Sequence, residues 1–270
     1  MTLEQKYEAL LEDLRQGGPI AIAFSAGVDS TLLLAAAKAA LGEDVLALTA
    51  VTAAIPRREL GDAEKLAESL GARHIALGID ALAVPGFRTN APDRCYHCKK
   101  HIFETLLAAA GAEGFSRLAE GSNLDDEGDY RPGHRALQEL GIESPLRAAG
   151  LTKAEIRALS KRLGLPTAEK PSFACLASRV PYGEAITAEK LRRIDDAEQL
   201  LFERGYPQFR VRSHGDLARI EVPEAELARL LAERKAITAA LRALGFTYVT
   251  MDLEGFESGK LNRDITKTEA

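Results

Sequence analysis

The sequence predicts an α/β fold, in which a doubly wound parallel sheet is followed by a smaller C-terminal α+β domain. Apolar runs without alternation, the first at Ile20–Phe24, indicate parallel strands that are covered on both faces. Helix-patterned segments follow these runs at the spacing of βαβ units. The alternation stops near Pro171, and from Glu184 onward a β-β-α-β order replaces it.

The two domains are expected over residues 1–172 and 173–270, and a helix broken by Gly17, Gly18 and Pro19 opens the first. After Ile20–Phe24, the further elements of the first domain are a helix Ser30–Leu41, a strand Val45–Val51, a helix Arg58–Leu70, a strand Arg73–Leu77, a helix Lys99–Ala110, a strand Arg117–Glu120 and a helix Lys153–Leu163. The second domain has a helix Ala188–Arg204, strands Phe209–Ser213 and Ala218–Val222, a helix Glu224–Leu244 and a strand Tyr248–Leu253. The polar tail from Phe256 is expected to be extended or frayed.

Composition excludes several classes of function. The net charge is −5, with 35 basic and 40 acidic residues and no polybasic tract, so no nucleic-acid partner is expected. No apolar run approaches the roughly 20 residues that cross a membrane. The N-terminus lacks a signal architecture, which indicates a cytoplasmic protein. In a reducing compartment, the three cysteines are expected to be ligands or nucleophiles.

A phosphate-binding turn is predicted where the first strand passes into its helix, in the string IAIAFSAGVDST. Gly27 allows a sharp turn, and the amides that follow it, at a helix N-terminus, point at an anion. Asp29 would repel phosphate unless a Mg²⁺ ion bridges the two. The alternative is an ordinary Asp/Ser helix cap without a ligand. The residues assigned to ATP here are Ser25, Ala26, Gly27, Val28, Asp29, Ser30 and Thr31.

Three segments resemble the PP-loop pyrophosphatases, which adenylate a substrate and release pyrophosphate. SAGVDS is similar to their SGGxDS signature, although Ala26 stands where many members have glycine. EGSNLDD, at 120–126, and the segment 144–172 are similar to two further parts of their nucleotide site. The resemblance implies ATP and Mg²⁺, with Asp29 as a catalytic metal ligand. It adds to the ATP site Gly121, Asn123, Asp126 and two lysines that would neutralise phosphate, Lys153 and Lys170, for each of which a solvated helix face is the alternative.

Cys175 lies in PSFACLASRVPYG, just past the βα pattern of the first domain. A buried structural cysteine is the ordinary expectation. The neighbouring Lys170 and Arg179 would instead favour the thiolate, and a thiolate can attack an adenylated carboxylate.

Nearly the whole chain resembles the LarE family of ATP-dependent sulfur transferases, and ACLASRVPYG is the most specific segment. The resemblance implies adenylation of a pyridinium biscarboxylate mononucleotide and its conversion to a thiocarboxylate, for a nickel-pincer cofactor. It also implies a homo-oligomer and a small nucleotide-like substrate. Cys175 matches the cysteine that gives up its sulfur in this family and becomes dehydroalanine.

Cys95 and Cys98 form a C-x-x-C directly before a predicted helix. A zinc site, a redox pair, incidental thiols and an iron–sulfur cluster are all possible. The resemblance adds that Cys95, Cys98 and Cys175 together could hold a 4Fe-4S cluster whose open iron carries the sulfide to be transferred. Sacrificial and cluster-borne sulfur therefore both stay open.

Arg210 and Arg212 alternate along a predicted strand and thus share one face. Two guanidinium groups side by side suit a substrate phosphate, whereas a solvent-facing strand is the alternative. Arg179 is a further candidate for contact with the substrate. Glu198 and Glu221 are candidates for a metal-binding carboxylate pair.

Three other functions compete with sulfur transfer. An amide-forming PP-loop synthetase, similar to NAD or GMP synthetases, would leave the Cys175 segment unexplained. A tRNA thiolase would need an RNA-binding surface, against which the acidic balance counts. A nucleotide-binding sensor would release no pyrophosphate.

Overall fold

A computed structural model of the protein describes residues 1–126, 132–171, 174–257 and 260. The chain divides into two compact units. The first unit comprises Met1–Thr52, Arg57–Ala81 and Cys95–Phe173, and the second comprises Ala53–Pro56, Leu82–Arg94 and Ala174–Ala270. The predicted boundary at residues 172 and 173 lies outside the described residues, as do Ser172 and most of the predicted tail, so the limits of the two domains stay a prediction.

Strands and helices alternate as far as the third strand, and consecutive helices then lie before and after the fourth strand, the last of them Lys153–Arg162. The elements up to that helix are α1 Leu3–Gly17, β1 Ile20–Ala23, α2 Val28–Leu41, β2 Val45–Val51, α3 Arg57–Ser69, β3 Arg73–Gly78, α4 Pro85–Arg88, α5 Arg94–Ala112, β4 Leu118–Ala119, α6 Pro132–Glu139, α7 Pro145–Ala148 and α8 Lys153–Arg162. Those after it are α9 Ala188–Glu203, β5 Arg210–His214, β6 Leu217–Glu221, α10 Leu227–Ala232, α11 Arg234–Ala243 and β7 Tyr248–Met251.

The first unit is built on a four-stranded parallel sheet in the order β3-β2-β1-β4. Successive side chains of β1 point to opposite faces, and both faces are covered. Ile20 and Ile22 join one buried cluster with α1, α2 and α8, while Ala21 joins another with α5 and α6. The predicted doubly wound α/β fold is therefore confirmed.

This strand order creates a crevice at the carboxyl end of β1. From β1 the chain leaves through α2 to β2 on one side, whereas β4 pairs with β1 on the other side. The loops that follow β1 and β4 consequently diverge over the sheet edge, which is where open α/β sheets bind ligands. Both loops belong to the segments that resemble a nucleotide site.

The second unit has a small mixed sheet in the order β5-β6-β7, with β5 antiparallel and β7 parallel to β6. Phe209, Val211 and Ile220 pack in its core with residues of α9, α10 and α11. The β-β-α-β order was predicted, but the single helix Glu224–Leu244 is wrong. A 3-10 turn follows Pro223, and Glu233 separates α10 from α11 with ψ near 0° while its carboxylate binds Arg204 and Arg229.

Two further differences concern helices of the first 172 residues. α5 begins at Arg94 and not at Lys99. The positive end of the helix dipole disfavours a cation in the first turn. Arg94 is nevertheless stable there, because it is buried and donates to Asn90 Oδ1. The short helices α4 and α7 were not predicted, although each begins with a proline at its first turn. None of the helices in the described residues has the length and apolar composition that a membrane span requires.

Candidate functional site

The turn after β1 has the backbone that phosphate binding needs. Gly27 caps α2 without a side-chain hydrogen bond, which leaves the first amides of the helix to an incoming anion. Ala26 is buried and has φ 54°, a left-handed conformation that glycine adopts at lower cost. The turn therefore accommodates the methyl group of Ala26, which is the one residue that departs from the SGGxDS signature.

Hydroxyl groups line this turn. Ser25 Oγ and Ser30 Oγ lie 3.1 Å apart, and Ser30 Oγ also donates to Gly27 O at 3.3 Å. Thr31 Oγ1 is buried, and among the described residues it has no hydrogen-bond partner. Buried polar atoms are normally satisfied, so this hydroxyl is a ready donor to a ligand oxygen.

Asp29 joins three segments that are distant in sequence. Its Oδ1 accepts from Asn123 Nδ2 at 3.3 Å, and its Oδ2 forms an ion pair with Lys153 Nζ. The structure thus brings together one residue from each PP-loop-like segment, α2, the loop after β4 and the start of α8. Lys153 therefore does not lie on the solvated helix face that was considered as the alternative.

Gly121 explains how the loop after β4 comes so close to α2. A Cβ atom at this position would lie 2.9 Å from Ser30 N and 3.1 Å from Asp29 Cβ. Any side chain would push backbone against backbone. Asp126 has a local role, because its Oδ2 accepts from Asn123 N at 2.9 Å and shapes the loop that presents Asn123.

Lys170 is held by acidic residues of α3. Its Nζ lies 2.9 Å from Glu59 Oε2 and 3.1 Å from Asp62 Oδ2. Arg157 donates to the carbonyl oxygen of Lys170 at 3.0 Å and fixes the backbone there. The lysine is therefore kept in place by carboxylates, and its predicted contact with phosphate stays a prediction.

Cys175 is exposed, at the start of a 3-10 turn that runs from Leu176 to Arg179. Leu176 is buried and its amide donates to Ala54 O at 2.8 Å, so the loop is anchored directly beside the cysteine. The carbonyl of Cys175 accepts from Ser178 N at 3.0 Å and from Ser178 Oγ at 2.8 Å. Cys175 is therefore not the buried structural cysteine that is the ordinary expectation.

Arg179 holds the same loop from inside the second unit. Its side chain is fully buried and binds both carboxylate oxygens of Glu198, at 2.7 and 3.1 Å. Its remaining donor group reaches Ala174 O at 2.9 Å and Cys175 O at 3.1 Å. Burial by itself would raise the pKa of Glu198, but the Arg179 cation, with Arg210 behind it, lowers this pKa below its usual value. This arrangement favours a positioning role for Arg179 over the expected contact with substrate.

Arg210 and Arg212 lie on β5, which is buried and not the solvent-facing strand considered as an alternative. Arg212 binds both oxygens of Glu221, at 2.6 and 2.8 Å, and donates to Ser178 O at 2.9 Å. Burial, and next the Arg179 cation, lowers the pKa of Arg210 to about 10, although Glu198 acts in the opposite direction. Burial disfavours the charged form of Arg210, and its guanidinium donates to Phe209 O at 2.7 Å.

Glu198 and Glu221 were predicted as a metal-binding pair, and the structure gives each of them an arginine fork instead. Cys95 and Cys98 lie in the first turn of α5, three residues apart and thus on one helix face. Within the described ranges, no three His, Cys, Asp or Glu side chains are grouped so that they could hold a metal ion.

Some residues that organise the site were not singled out from sequence. Glu120 accepts from Ser122 Oγ and Ser144 Oγ, and Asp125 accepts from the backbone amide of Lys153 at 2.8 Å. Both acids lie within EGSNLDD, so that motif was the available signal. Asn90, which binds the loop after Cys175, stands in no recognised motif.

Comparison with known proteins identifies the family. The asparagine synthase family model matches residues 4–98. An uncharacterised protein of Synechocystis sp. is 42% identical over 267 residues, which are 98% of this chain and 100% of that protein. The pyridinium-3,5-bisthiocarboxylic acid mononucleotide synthase of Lactiplantibacillus plantarum is 38% identical over 269 residues, 99% of this chain and 98% of the synthase. This chain belongs to the LarE family.

The LarE family membership expected from ACLASRVPYG is thus confirmed, and LarE proteins are PP-loop enzymes that use ATP with Mg²⁺. A tRNA-specific 2-thiouridylase of Rhodospirillum rubrum is also similar, at 31% identity over 217 residues. That match covers 65% of this chain but only 57% of the thiouridylase. The LarE match, in contrast, extends over both units of the structure.

Proposed function

We propose that this chain is an ATP-dependent sulfur transferase. It adenylates a carboxylate of a pyridinium biscarboxylate mononucleotide, releases pyrophosphate, and converts the carboxylate to a thiocarboxylate for a nickel-pincer cofactor. The observation that carries the proposal is the exposed thiol of Cys175 on a loop whose carbonyls are bound by a buried arginine. The name of the Lactiplantibacillus relative supports the substrate class.

The first step uses the residues around Asp29. A substrate carboxylate oxygen attacks the α-phosphorus of ATP, the bond to the β-phosphate oxygen breaks, and pyrophosphate leaves. The α2 amides and the hydroxyl of Thr31 would bind phosphate oxygens, and Lys153 would move its charge from Asp29 to a phosphate. Carboxylate oxygens suit Mg²⁺, so Asp29, oriented by Asn123 Nδ2, would hold this ion, which offsets phosphate charge.

The second step uses Cys175. Its thiolate attacks the adenylated carboxyl carbon, the carbon–oxygen bond to AMP breaks, and a thioester to the protein forms. Loss of the Cα proton of Cys175 and cleavage of its Cβ–S bond then leave the sulfur on the product as a thiocarboxylate. Cys175 ends as dehydroalanine in this route, which consumes the protein once per transfer.

The alternative source of sulfur is a 4Fe-4S cluster held by Cys95, Cys98 and Cys175. Three thiolates are one fewer than a complete cluster set, and the family resemblance supports an open iron at which sulfide would be supplied. The pair on one face of the first turn of α5 is compatible with shared ligation. The cluster route leaves Cys175 intact after turnover.

The phosphate of the substrate is assigned to the buried arginines of β5. The guanidinium of Arg210 is removed from water by burial, donates to Phe209 O at 2.7 Å and has Arg179 and Arg212 near it, so an anion beside it would be stabilised. Arg212 shares the same strand but is committed to Glu221. We therefore assign the phosphate contact to Arg210 first.

The experiment is anaerobic purification with a visible spectrum and an iron count, followed by turnover with ATP and the pyridinium substrate. We expect AMP and pyrophosphate release that depends on the substrate, and thiocarboxylate as product. The intact mass then separates the sulfur sources, since a loss of one hydrogen sulfide indicates sacrifice and an unchanged mass with stoichiometric iron indicates the cluster.

Two variants complete this test. Cys175→Ala is expected to release pyrophosphate and to form no thiocarboxylate. Cys98→Ala is the matched control, because it retains a single transfer in the sacrificial route and loses transfer in the cluster route. Thiolation by Cys175→Ala would refute the role of the cysteine, and retention of bulk tRNA on a filter would favour a tRNA thiolase instead.

A further inference from the structure

Asn90 is buried in the second unit with an unusual backbone. Its φ of 58° is left-handed, and it is one of two non-glycine residues with positive φ among those that the structure describes. Asparagine tolerates this conformation better than most residues. The conformation needs support from the surroundings, and the side chain of Asn90 provides it.

The amide of Asn90 binds the segment that follows Cys175. Its Nδ2 lies 3.3 Å from Val180 O, 2.6 Å from Pro181 O and 3.0 Å from Glu184 O. The amide group has two protons, so these three carbonyls share them. The backbone adds a fourth contact, since Asn90 O accepts from Gly183 N at 3.0 Å.

Arg94 fixes the orientation of this amide. Its Nη1 donates to Asn90 Oδ1 at 2.6 Å, which requires the oxygen to face Arg94 and the nitrogen to face the three carbonyls. Arg94 is buried, and its guanidinium lies 4.4 Å from the ring centroid of Tyr182, in the same segment. The pair of Asn90 and Arg94 therefore binds residues 180–184 through both backbone and side chain.

The loop with the thiol is thus held at both ends. Arg179 binds the carbonyls of residues 174 and 175, and Asn90 binds those of residues 180, 181 and 184. Between the two lie the buried Leu176, Ala177 and Val180, while Cys175 remains exposed. Such a loop keeps the thiol accessible on a backbone that is held on both sides.

We infer that Asn90 is a positioning residue for sulfur transfer, which it serves by holding the turn after Cys175 through Nδ2. This inference rests on the proposed role of Cys175. It predicts that loss of the amide affects the step that needs the thiol and spares adenylation, because the residues assigned to ATP belong to the first unit. A residue needed for folding alone would lower both steps together.

Two substitutions at Asn90 separate the role of the amide from that of the backbone, and a third substitution elsewhere is the control. Asn90→Gly keeps the left-handed backbone and removes the side chain. Asn90→Asp keeps the shape and the acceptor for Arg94 but removes the donor to the carbonyls. Ile237→Val is the control, because it lowers stability in the core of the same unit without contact to the loop.

Two measurements are made on each variant. One is the ratio of thiocarboxylate formed to pyrophosphate released. The other is the rate of alkylation of Cys175 by iodoacetamide relative to Cys98, followed by peptide mass spectrometry. We expect Asn90→Gly and Asn90→Asp to lower the ratio by about tenfold and to change the relative alkylation rate severalfold, since a small displacement of a reacting group has effects of this size. Ile237→Val should change neither.

The inference is overturned if Asn90→Gly, shown to be folded by circular dichroism, keeps both values of the unsubstituted protein. It is also overturned if the ratio falls equally in Ile237→Val. The alkylation rate does not depend on the substrate, so it decides the position of the thiol even if the proposed reaction fails. A failure of the proposed function is seen separately, as absence of thiocarboxylate in the unsubstituted protein.

Discussion

The charged residues at the proposed ATP site and those behind the Cys175 loop differ in their exposure to water. The side chains of Lys153 and Asp29 keep exposed fractions of 30% and 21%, whereas those of Arg179 and Glu198 are both at 0%. Each pair has hydrogen-bonding geometry. The two pairs differ in how much contact with water their charged groups have lost on folding.

This difference in exposure predicts which charged side chains can bind a ligand and which hold the backbone in place. A partly exposed pair contributes about 0–1 kcal/mol, so Lys153 can exchange its partner for a phosphate at small cost. Breaking a fully buried pair costs about 3–5 kcal/mol, because one charge remains without compensation. The basic residues of the first unit are suited to an incoming anion, and Arg179 is suited to holding a loop.

The largest expected effect is on the buried pair. Glu198→Gln should lower the free energy of unfolding by about 3–5 kcal/mol, since Arg179 stays buried without its counter-charge. Urea denaturation measures this change. Glu43→Gln is the control, because this glutamate is 94% exposed and pairs with Lys38 at the surface. A loss below about 1 kcal/mol for Glu198→Gln would contradict the contrast between the two pairs.

The double variant Arg179→Met with Glu198→Leu sharpens this result. Apolar residues of similar size often replace a buried ion pair without loss of stability, so most of the lost stability should return. The Cys175 loop would nevertheless lose its donors, and sulfur transfer should stay low. Full recovery of transfer would show that Arg179 does not position the loop.

The next effect concerns the exposed pair and is on activity. Asp29→Asn should reduce pyrophosphate release on the order of 100-fold, a size typical for loss of a group that stabilises charge in a transition state. The urea midpoint should change little, because the side chain is partly exposed. Asp13→Asn, on the exposed face of α1, is the matched control. Unchanged pyrophosphate release at saturating Mg²⁺ would exclude Asp29 from the ATP site.

A smaller effect is expected at Gly121, where α2 and the loop after β4 meet. Gly121→Ala places a methyl group against the backbone of Ser30 and should destabilise the protein by about 1–3 kcal/mol. It should also raise the KM for ATP. Gly61→Ala in α3 meets no atom within 4 Å and should raise stability by about 0.5–1 kcal/mol. Equal shifts for both variants would contradict the close approach.

The smallest effect is a pH dependence near the ATP site. His74 Nε2 lies 2.8 Å from Thr49 Oγ1, which donates to Phe24 O at 2.7 Å. Burial lowers the pKa of His74 below its usual 6.5, so the unfolded chain binds a proton that the folded chain does not. Stability is therefore complete above pH 6.5 and falls as the pH decreases below it.

His74→Gln should remove this part of the pH dependence and retain a donor to Thr49. Thermal or urea unfolding between pH 7 and pH 5 measures it, with a smaller decrease expected in the variant. A decrease as large as that of the unsubstituted protein would assign the acid sensitivity to other groups.

Local patterns were sufficient for the sheet and for the phosphate turn. β2 has the predicted bounds, Val45–Val51, and β1 differs by one residue, because continuous apolar runs mark strands that are buried on both faces. Ser25 to Thr31 form the expected turn and helix start for a similar reason, since a glycine between a strand and a helix acts over a few residues.

Patterns along the chain were insufficient where a residue's role depends on partners from another element. A solvent-facing strand was the alternative for Arg210 and Arg212, but this strand is buried, because Glu221 from β6 binds Arg212 and Glu198 from α9 accepts from Val211 N. At Glu233, where the predicted helix is split, the carboxylate likewise binds a residue outside that helix, Arg204 at the end of α9.

The sequence by itself determined the α/β class and the LarE family, and it singled out Asp29 and Cys175 as the residues predicted to carry the chemistry. Each of these predictions depends on short segments, and the residue types of such a segment are sufficient to make the prediction. Only the tertiary structure decided that Lys153 reaches Asp29, that Arg179 is a buried support and that Asn90 holds the loop. Burial and long-range hydrogen bonds determine what a charge can do, and neither is encoded in the spacing of neighbouring residues.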